Sequence, residues 1–168
     1  HKKMEKAATK ITFYHYNATD YVSSEDVTLE HCAAKDHAFH VSWIDIVGSN
    51  QTVLQQAGEI FKIHPLAVED IINTHQRAKV EDYGDFLYVV LRLFALTNNK
   101  IADQQVSFIL RDNVLLTFRE EDYGVFRKVG ERIQNNKGNI RRKGEDHLLY
   151  TLLDVIIDNY YVILEHIN

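Results

Sequence analysis

Residues 85–96, with the sequence DFLYVVLRLFAL, are almost continuously apolar apart from Arg92. A strand with one solvated face alternates apolar and polar residues, whereas a strand that is covered on both faces is apolar throughout. The segment therefore predicts a central strand of a β-sheet that carries other elements on both of its faces.

Other segments supply the strands and helices for such a sheet. Runs rich in β-branched and aromatic residues predict strands at 11–16, 40–47, 105–110 and 114–119, the last two as a β-hairpin. Apolar residues at spacings of three and four predict helices at 51–63, 65–73, 123–136 and 145–168. Asn50 suits the N-cap of the first helix, and Pro65 suits the first turn of the second. The predicted fold class is therefore α/β, with a mixed β-sheet sandwiched between layers of helices (α/β/α).

The composition fits a single globular domain. A chain of 168 residues can bury a core of its own, and 45% of its residues are hydrophobic while 26% are charged. The single cysteine, Cys32, cannot form an internal disulfide. The net charge of -5 argues against a nucleic-acid partner, because surfaces that bind nucleic acid are normally basic.

The last segment, residues 145–168, is apolar on more than one face, which predicts a long helix that packs on two sides. Asp154 and Asp158 interrupt it, and we find no stretch with the roughly 18 uninterrupted apolar residues of a membrane span. We expect residues 1–144 to form the α/β/α domain and residues 145–168 to begin a long helix. Because the chain starts at His1 and stops inside this helical pattern, we expect it to be a piece of a longer protein.

Four acidic residues are candidates for a metal site. On a helix over residues 65–73, Glu69 and Asp70 point away from the apolar face, and Asp154 and Asp158 share one stripe of the last helix. Mg²⁺ prefers carboxylate oxygens and retains much of its water, so one or two carboxylates from each of two surfaces suffice for a loose site. The pattern by itself also fits ordinary solvated helix faces.

Two other groups of residues have ligand chemistry but weak patterns. The first offers ligands that Zn²⁺ prefers and comprises His31, Cys32, His37 and His40. Its spacing matches no strong zinc motif, which favours ordinary histidines. The second is a basic loop that comprises Lys137, Arg141, Arg142 and Lys143, for which the sequence indicates no partner. No phosphate-binding glycine loop, nucleophile elbow or metalloprotease motif occurs in the sequence, so it offers no catalytic residues.

Several longer motifs resemble those of one transporter family. The run HPLAVEDIINTHQRAKVEDY begins at His64, VSFILRDNVLLTFRE begins at Val106, and VGERIQNNKGNIRRKGEDHLLYTLLDVIIDNYYVILE begins at Val129. Together with WIDIVG, which begins at Trp43, these runs closely resemble the cytoplasmic N-terminal domain of the CorA family of magnesium and cobalt transporters. The resemblance is collinear over residues 43–167, which makes it far more specific than one short motif.

The resemblance implies an architecture and a role. Members of the family are homopentamers whose cytoplasmic α/β/α domain lies under a funnel of long helices and whose two membrane helices lie near the C-terminus. Mg²⁺, Co²⁺ or other divalent ions bind weakly between neighbouring cytoplasmic domains and favour the closed channel. By this resemblance the chain is a Mg²⁺-sensing regulatory domain on the cytoplasmic side of an inner-membrane protein. It would meet its own subunits and no nucleic acid, and would reach the membrane only through C-terminal helices that this sequence does not contain.

The resemblance also assigns roles to individual residues. Glu69 and Asp70 correspond to the Glu-Asp pair that follows His-Pro in the family, and Asp154 corresponds to the acid of its Leu-Leu-Tyr-x-Leu-x-Asp run. Asp158 lies on the same stripe and is a further candidate. The family's remaining acidic ligand belongs to the neighbouring subunit's stalk helix, which is absent from this sequence. One departure is Ala78, where the family usually has proline, so the loop before it loses a source of rigidity.

Two alternatives stay open from the sequence. The first is the cytoplasmic domain of a related zinc transporter with the same architecture, although the run HPLxxEDIxxTHQR favours the magnesium branch. The second is a stand-alone metal-responsive α/β module whose acidic residues line a pocket within the domain. We expect no enzymatic activity in the regulatory domain.

Overall fold

The computed structural model describes residues 8–48 and 50–168 of the chain. Within them the strands are β1 (Lys10–Tyr16), β2 (Tyr21–Ser24), β3 (Val41–Val47), β4 (Lys79–Asp82), β5 (Leu87–Thr97), β6 (Lys100–Arg111) and β7 (Val114–Arg119). The helices are α1 (Leu29–Ala33), α2 (Gln51–Ile60), α3 (Pro65–Ile72), α4 (Arg127–Asn135) and α5 (Glu145–Ile167). A 3₁₀ segment, Lys137–Arg142, joins α4 to α5.

The strands form one mixed sheet in the order β2-β1-β3-β7-β6-β5-β4. β3 and β7 are parallel neighbours in its middle, and the other neighbouring pairs are antiparallel. β5 and β6 form a long hairpin whose two turn residues, Asn98 and Asn99, have φ values of 53° and 62°. Asparagine tolerates positive φ better than most residues, so it suits this turn.

Alternation along the strands divides the core into two layers. Trp43 of β3 and Leu115 of β7 face one side of the sheet, whereas Ile44 and Leu116 face the other. α1, α2 and α3 pack on the side of Ile44, which we call the α3 face. α4, the 3₁₀ segment and α5 pack on the side of Trp43, which we call the α5 face. The predicted α/β fold, a mixed sheet between layers of helices that ends in a long helix, is confirmed.

Most predicted elements occur close to their predicted positions. The hairpin of β6 and β7 is confirmed, and Asn50 caps α2 by accepting two backbone hydrogen bonds in the first turn (2.9 and 3.3 Å). α3 begins at Pro65 and α5 begins at Glu145, as predicted. α4 is shorter than predicted, because it begins only at Arg127, and it is followed by Asn136 in the left-handed conformation.

The prediction that residues 85–96 form a central strand is wrong in its position. The segment contains most of β5, and both faces of that strand are covered, since Tyr88 packs on the α3 face and Val89 on the α5 face. However, β5 lies beside the four-residue edge strand β4, and β7 occupies the middle of the sheet. An apolar strand sequence indicates only that both faces of the strand are covered. A strand next to the edge of the sheet can also be covered on both faces.

Three elements were not predicted because they are short. β2 and β4 have four residues each and α1 has five. β2 and β4 are the two edge strands, and edge strands are often short and polar because this discourages pairing with other chains. Segments of this length do not contain enough residues to reveal a helical or strand period.

The apolar composition of α5 bears on the prediction that this sequence contains no membrane span. Its most apolar window has a mean hydropathy of 1.3, so by length and composition the helix could cross a membrane. Asp154 and Asp158 nevertheless interrupt the helix, so it contains no uninterrupted apolar run of about 18 residues. In the structure 33% of this window is buried, and Leu148, Leu152 and Ile156 pack in the core of the α5 face. The apolar residues of the first half of α5 thus cover the sheet.

A buried ion pair links the two middle strands. Oδ2 of Asp45 on β3 lies 2.6 Å from Nη2 of Arg119 on β7, and the two side chains are 8% and 3% exposed. Thr117 donates a hydrogen bond to Asp45 Oδ1 (2.7 Å) and accepts one from the indole N–H of Trp43 (3.0 Å). The guanidinium group of Arg119 also lies over the ring of Phe126, 4.5 Å from its centroid. Both charges therefore have partners, as charges inside a core require.

Removal of one partner should destabilise the fold. We expect Asp45→Ala to lower the free energy of unfolding by about 3–5 kcal/mol, because Arg119 is then buried without a counter-charge. As a control, Asp103→Ala breaks the exposed pair with Arg92 (2.8 Å). The control should change the free energy by no more than about 1 kcal/mol. Urea denaturation measures both, and equal losses would contradict a structural role for the buried pair.

Candidate functional site

α3 presents Glu69 and Asp70 on its outer side. His64 caps the helix, because its Nδ1 atom accepts a hydrogen bond from a backbone N–H of the first turn (3.1 Å). Ala67 and Ile71 are buried against the sheet, which fixes the rotation of the helix. As a result Glu69 is exposed and Asp70 is half-buried at the edge of the helix. The predicted orientation is therefore right for Glu69 and only partly right for Asp70.

Asp70 already has a cationic partner within the chain. Its Oδ2 atom lies 2.7 Å from Nζ of Lys79 on β4, and the two side chains are 28% and 29% exposed. Lys79 also lies 3.6 Å from Glu81. The hydrogen bond to Asp70 is the largest cause that raises the pKa of Lys79 above its usual value. A divalent ion at Asp70 would therefore have to compete with an ammonium group, which the sequence pattern did not reveal.

Glu69 lies on an open groove between α2 and α3. The groove has a volume of about 650 Å³, and its charged lining residues are Glu59, Lys62 and Glu69. The two helices approach closely because Gly58 has no side chain, and a Cβ atom there would lie 2.6 Å from Cγ2 of Val68. Because the groove is open, Glu69 is accessible to a partner that approaches from outside the domain.

Asp154 and Asp158 lie one turn apart on the outer side of α5. Both are exposed, while Ile156 between them is buried in the core of the α5 face. Farther along the helix, the side chains of Asn159 and Tyr160 donate hydrogen bonds to backbone carbonyl groups of β5. These contacts fix the rotation of α5, so the two carboxylates project together into solvent.

The two acidic pairs lie on opposite sides of the sheet. Glu69 and Asp70 belong to the layer of the α3 face, and Asp154 and Asp158 belong to the layer of the α5 face. Among residues 8–48 and 50–168, no three His, Cys, Asp or Glu side chains are placed to hold a metal ion together. The alternative in which these acids line one pocket within the domain is therefore wrong, because the sheet separates them.

Comparison with known proteins identifies the family. Residues 39–168, most of the chain, match the family described as "CorA-like Mg2+ transporter protein". The chain belongs to this family. The resemblance drawn from the sequence motifs is thus confirmed.

One curated CorA relative is substantially similar. The cobalt/magnesium transport protein CorA of Thermotoga maritima is 46% identical to this chain over 130 residues. The matched segment makes up 76% of this chain but only 37% of the relative, so the chain spans little more than a third of that protein's length.

Solved structures share the fold. The alignment with the soluble domain of CorA from Methanocaldococcus jannaschii spans 98% of this chain and 62% of that structure's chain, with a TM-score of 0.69 and 18% identity. The alignment with the ZntB cytoplasmic domain from Vibrio parahaemolyticus spans 92% of this chain and 61% of that structure's chain, with a TM-score of 0.65 and 10% identity. At these identities the similarity establishes the fold alone.

Three of the possible zinc ligands, Cys32, His37 and His40, lie in two different environments in this CorA-family chain. Cys32 is completely buried in the core of the α3 face, and burial raises the pKa of its thiol to about 12, which makes it a poor metal ligand. His37 instead meets His15 at Ser42, whose Oγ atom lies 2.6 Å from Nδ1 of His37 and 3.0 Å from Nδ1 of His15. His40 stacks on His15 with 4.3 Å between ring centroids.

The sequence did not predict this histidine cluster because His15 lies on β1, whereas His37 and His40 lie in the loop between α1 and β3. Burial lowers the pKa of His15 to about 4, and the charges of His40 and His37 add to the effect. Burial also lowers the pKa of His37. The folded chain therefore disfavours the protonated form of both rings.

We expect this cluster to make the fold acid-sensitive. The unfolded chain binds a proton at His15 near pH 6.5, whereas the folded chain binds it only near pH 4. Because the unfolded state then carries more protons, the free energy of unfolding should fall as the pH drops through this range. His15→Phe should reduce the fall, and His166→Gln at the exposed end of α5 should not. Urea titrations above and within this range measure the effect, and the same pH dependence in all three proteins would contradict it.

Proposed function

We propose that the chain is the Mg²⁺-sensing cytoplasmic domain of a CorA-type divalent-cation transporter, in which ions bound between subunits favour the closed channel. The observation that carries the proposal is that the outward-facing acids occupy opposite sides of one sheet. A single domain cannot bring them to one ion. Two copies can, if the α3 face of one approaches the α5 face of the next.

Such a contact is head-to-tail, because it joins two different surfaces of the same chain. Repeated around an axis, head-to-tail contacts close into a ring, which is compatible with a homopentamer. Glu69 and Asp70 of one copy would then share an ion with Asp154 of its neighbour, with Asp158 close by. The open groove beside Glu69 leaves room for the approaching helix.

The exposure of these acids fits a weak sensor. Mg²⁺ keeps most of its water and needs only a few protein oxygens, so carboxylates on a solvated boundary suffice. A site that responds to about millimolar Mg²⁺ supplies only about 4 kcal/mol of binding free energy. Several such sites around a ring add their preferences for the closed arrangement, so their combined effect can shift the population of states strongly.

The magnesium branch is supported over the zinc alternative by sequence. The relative that is 46% identical is named a cobalt/magnesium transport protein. A regulatory role of this kind requires acidic ligands and an interface and no catalytic group, so we propose that the domain is not an enzyme.

The first test concerns the acids themselves in the intact transporter. Mg²⁺ should slow tryptic cleavage of the wild-type protein by holding the ring together, and Asp70→Asn or Asp154→Asn should weaken this protection, because each removes a charged ligand. Asp112→Asn, on the exposed β6–β7 turn, is the matched control. Cleavage is measured as a function of Mg²⁺ concentration. If Asp70→Asn and Asp154→Asn both behave like the control, the proposal fails.

The second test uses the competing ammonium group. Lys79→Gln should increase the apparent Mg²⁺ affinity, since Asp70 is then free of its internal partner. A partly exposed ion pair contributes at most about 1 kcal/mol, so the concentration that gives half-protection should fall by up to about fivefold. Lys100→Gln, at the exposed start of β6, should have no effect. A higher Mg²⁺ requirement in Lys79→Gln would show that Asp70 is not a ligand.

A further inference from the structure

A second pocket lies where α5 begins, away from the acidic residues. It has a volume of about 370 Å³ and lies among the end of β1, the start of β3 and the loop before α5. The basic loop of the sequence supplies three of its lining residues, which are Arg141, Arg142 and Lys143. Neither the fold nor the proposed metal site accounts for this concentration of positive charge.

The N-terminus of α5 adds to the positive potential. α5 has 23 residues, its N-cap Gly144 has no side chain to cap the helix, and its first turn carries the acids Glu145 and Asp146. The free N–H groups at the start of a long helix carry a partial positive charge that favours anions. Gly144 lines the pocket directly after the three basic residues, so backbone and side-chain charges of the same sign converge there.

Several buried polar side-chain atoms near this pocket have no hydrogen-bond partner within the described residues. In the part of the chain that the structure describes, six buried side-chain nitrogen or oxygen atoms have no hydrogen-bond partner. Three of them belong to residues that line this pocket, namely the hydroxyl group of Tyr16, Nδ1 of His40 and Nε of Arg141. Tyr16 is 0% exposed, so its hydroxyl group has no access to bulk water. A buried donor without a partner is costly, and a ligand with several acceptor atoms would remove that cost.

The Tyr16 hydroxyl group and Nε of Arg141 are donors that suit an anion with several acceptor oxygens. Burial raises the pKa of Tyr16, with a further contribution from Glu145, so the phenol remains protonated and can donate. The Arg141 guanidinium lies over the ring of Tyr21, 5.7 Å from its centroid. Asp146, the exposed acid of the first turn, accepts a hydrogen bond from the backbone N–H of His147 (2.8 Å) and so turns toward its own helix.

We propose that this pocket binds the phosphate group of a small molecule, either inorganic phosphate or a nucleotide. Arginine and lysine side chains and a helix N-terminus are the usual partners of phosphate oxygens. The pocket volume lies within the range of small-molecule sites. Phe39, which is 76% exposed, also lines the pocket and offers an aromatic surface on which a base could stack.

The test measures binding of inorganic phosphate to the chain by isothermal titration calorimetry in a buffer free of divalent ions, at physiological ionic strength. This buffer makes the result independent of the proposed metal site. We expect saturable binding to one site. Arg142→Gln combined with Lys143→Gln should weaken it by about tenfold or more, because two charge-assisted contacts are lost. Both side chains are exposed, so this variant should fold normally.

Tyr16→Phe tests the pocket independently of its net charge, because it removes a single oxygen atom. We expect it to weaken phosphate binding by about fivefold while the thermal midpoint of unfolding stays the same or rises. Lys100→Gln is the control, because it changes the net charge at a residue that does not line the pocket. If phosphate does not saturate a site, or if Lys100→Gln weakens binding as much as the Arg142→Gln and Lys143→Gln pair, the proposal is overturned.

A comparison of phosphate with adenosine monophosphate and adenosine triphosphate distinguishes the two sources of the group. Tighter binding of a nucleotide that Phe39→Ala reduces to the level of phosphate identifies a nucleotide site. Equal binding of phosphate and nucleotides, unaffected by Phe39→Ala, identifies a site for the free anion. Binding of all three that Tyr16→Phe leaves unchanged would contradict the pocket as the site.

Discussion

The sheet that is covered on both faces is the constraint on which the other features depend. Side chains alternate along β3 and β7, so neighbouring residues enter different cores, as Trp43 and Ile44 do. Each core needs its own helices, and those helices carry their polar sides outward. The acidic pairs on α3 and α5 therefore lie on opposite sides of the sheet. A metal ion that needs both pairs must lie at a boundary between two molecules.

The middle of the sheet carries a buried polar network that crosses both parallel strands. Asp45 and Arg119 neutralise each other, and Thr117 and Trp43 complete their hydrogen bonds. This network lies on the α5 face, beneath the layer that contains α5. A fully satisfied buried network favours one arrangement of its strands, because any shift in register leaves charges unpaired. The platform beneath the outer helices is thus held in a defined register.

α5 connects the features of functional interest in this chain. Its N-terminus borders the basic pocket, its middle carries Asp154 and Asp158, and its end exposes apolar residues. Those exposed residues are Tyr161, Val162, Leu164 and Ile167. A ligand at the first turn and an ion at the middle would act on the same rigid helix. On the other side of the domain, the Asp70–Lys79 pair places an ammonium group beside one of the proposed ligands, and a divalent ion at the proposed site would have to compete with it.

The sequence by itself determined the fold class, the hairpin, the cap of α2, the start of α3, the long last helix and the family. These features depend on local periods, on residues such as Asn50 and Pro65 at the starts of helices, and on long collinear motifs. It did not determine that residues 85–96 lie beside the edge strand. An apolar run indicates that both faces of a strand are covered, but it does not indicate the position of that strand in the sheet. It also missed the buried pair of Asp45 and Arg119 and the partner of Asp70.

Only the tertiary structure decided which side chains meet. It placed the two acidic pairs on opposite faces, brought His15 to His37 and His40, and left the hydroxyl group of Tyr16 without a partner beside a basic loop. Each of these relations joins residues that are far apart along the chain. Such contacts follow from strand order and helix placement, which are set by the packing of the whole domain and leave no local pattern in the sequence.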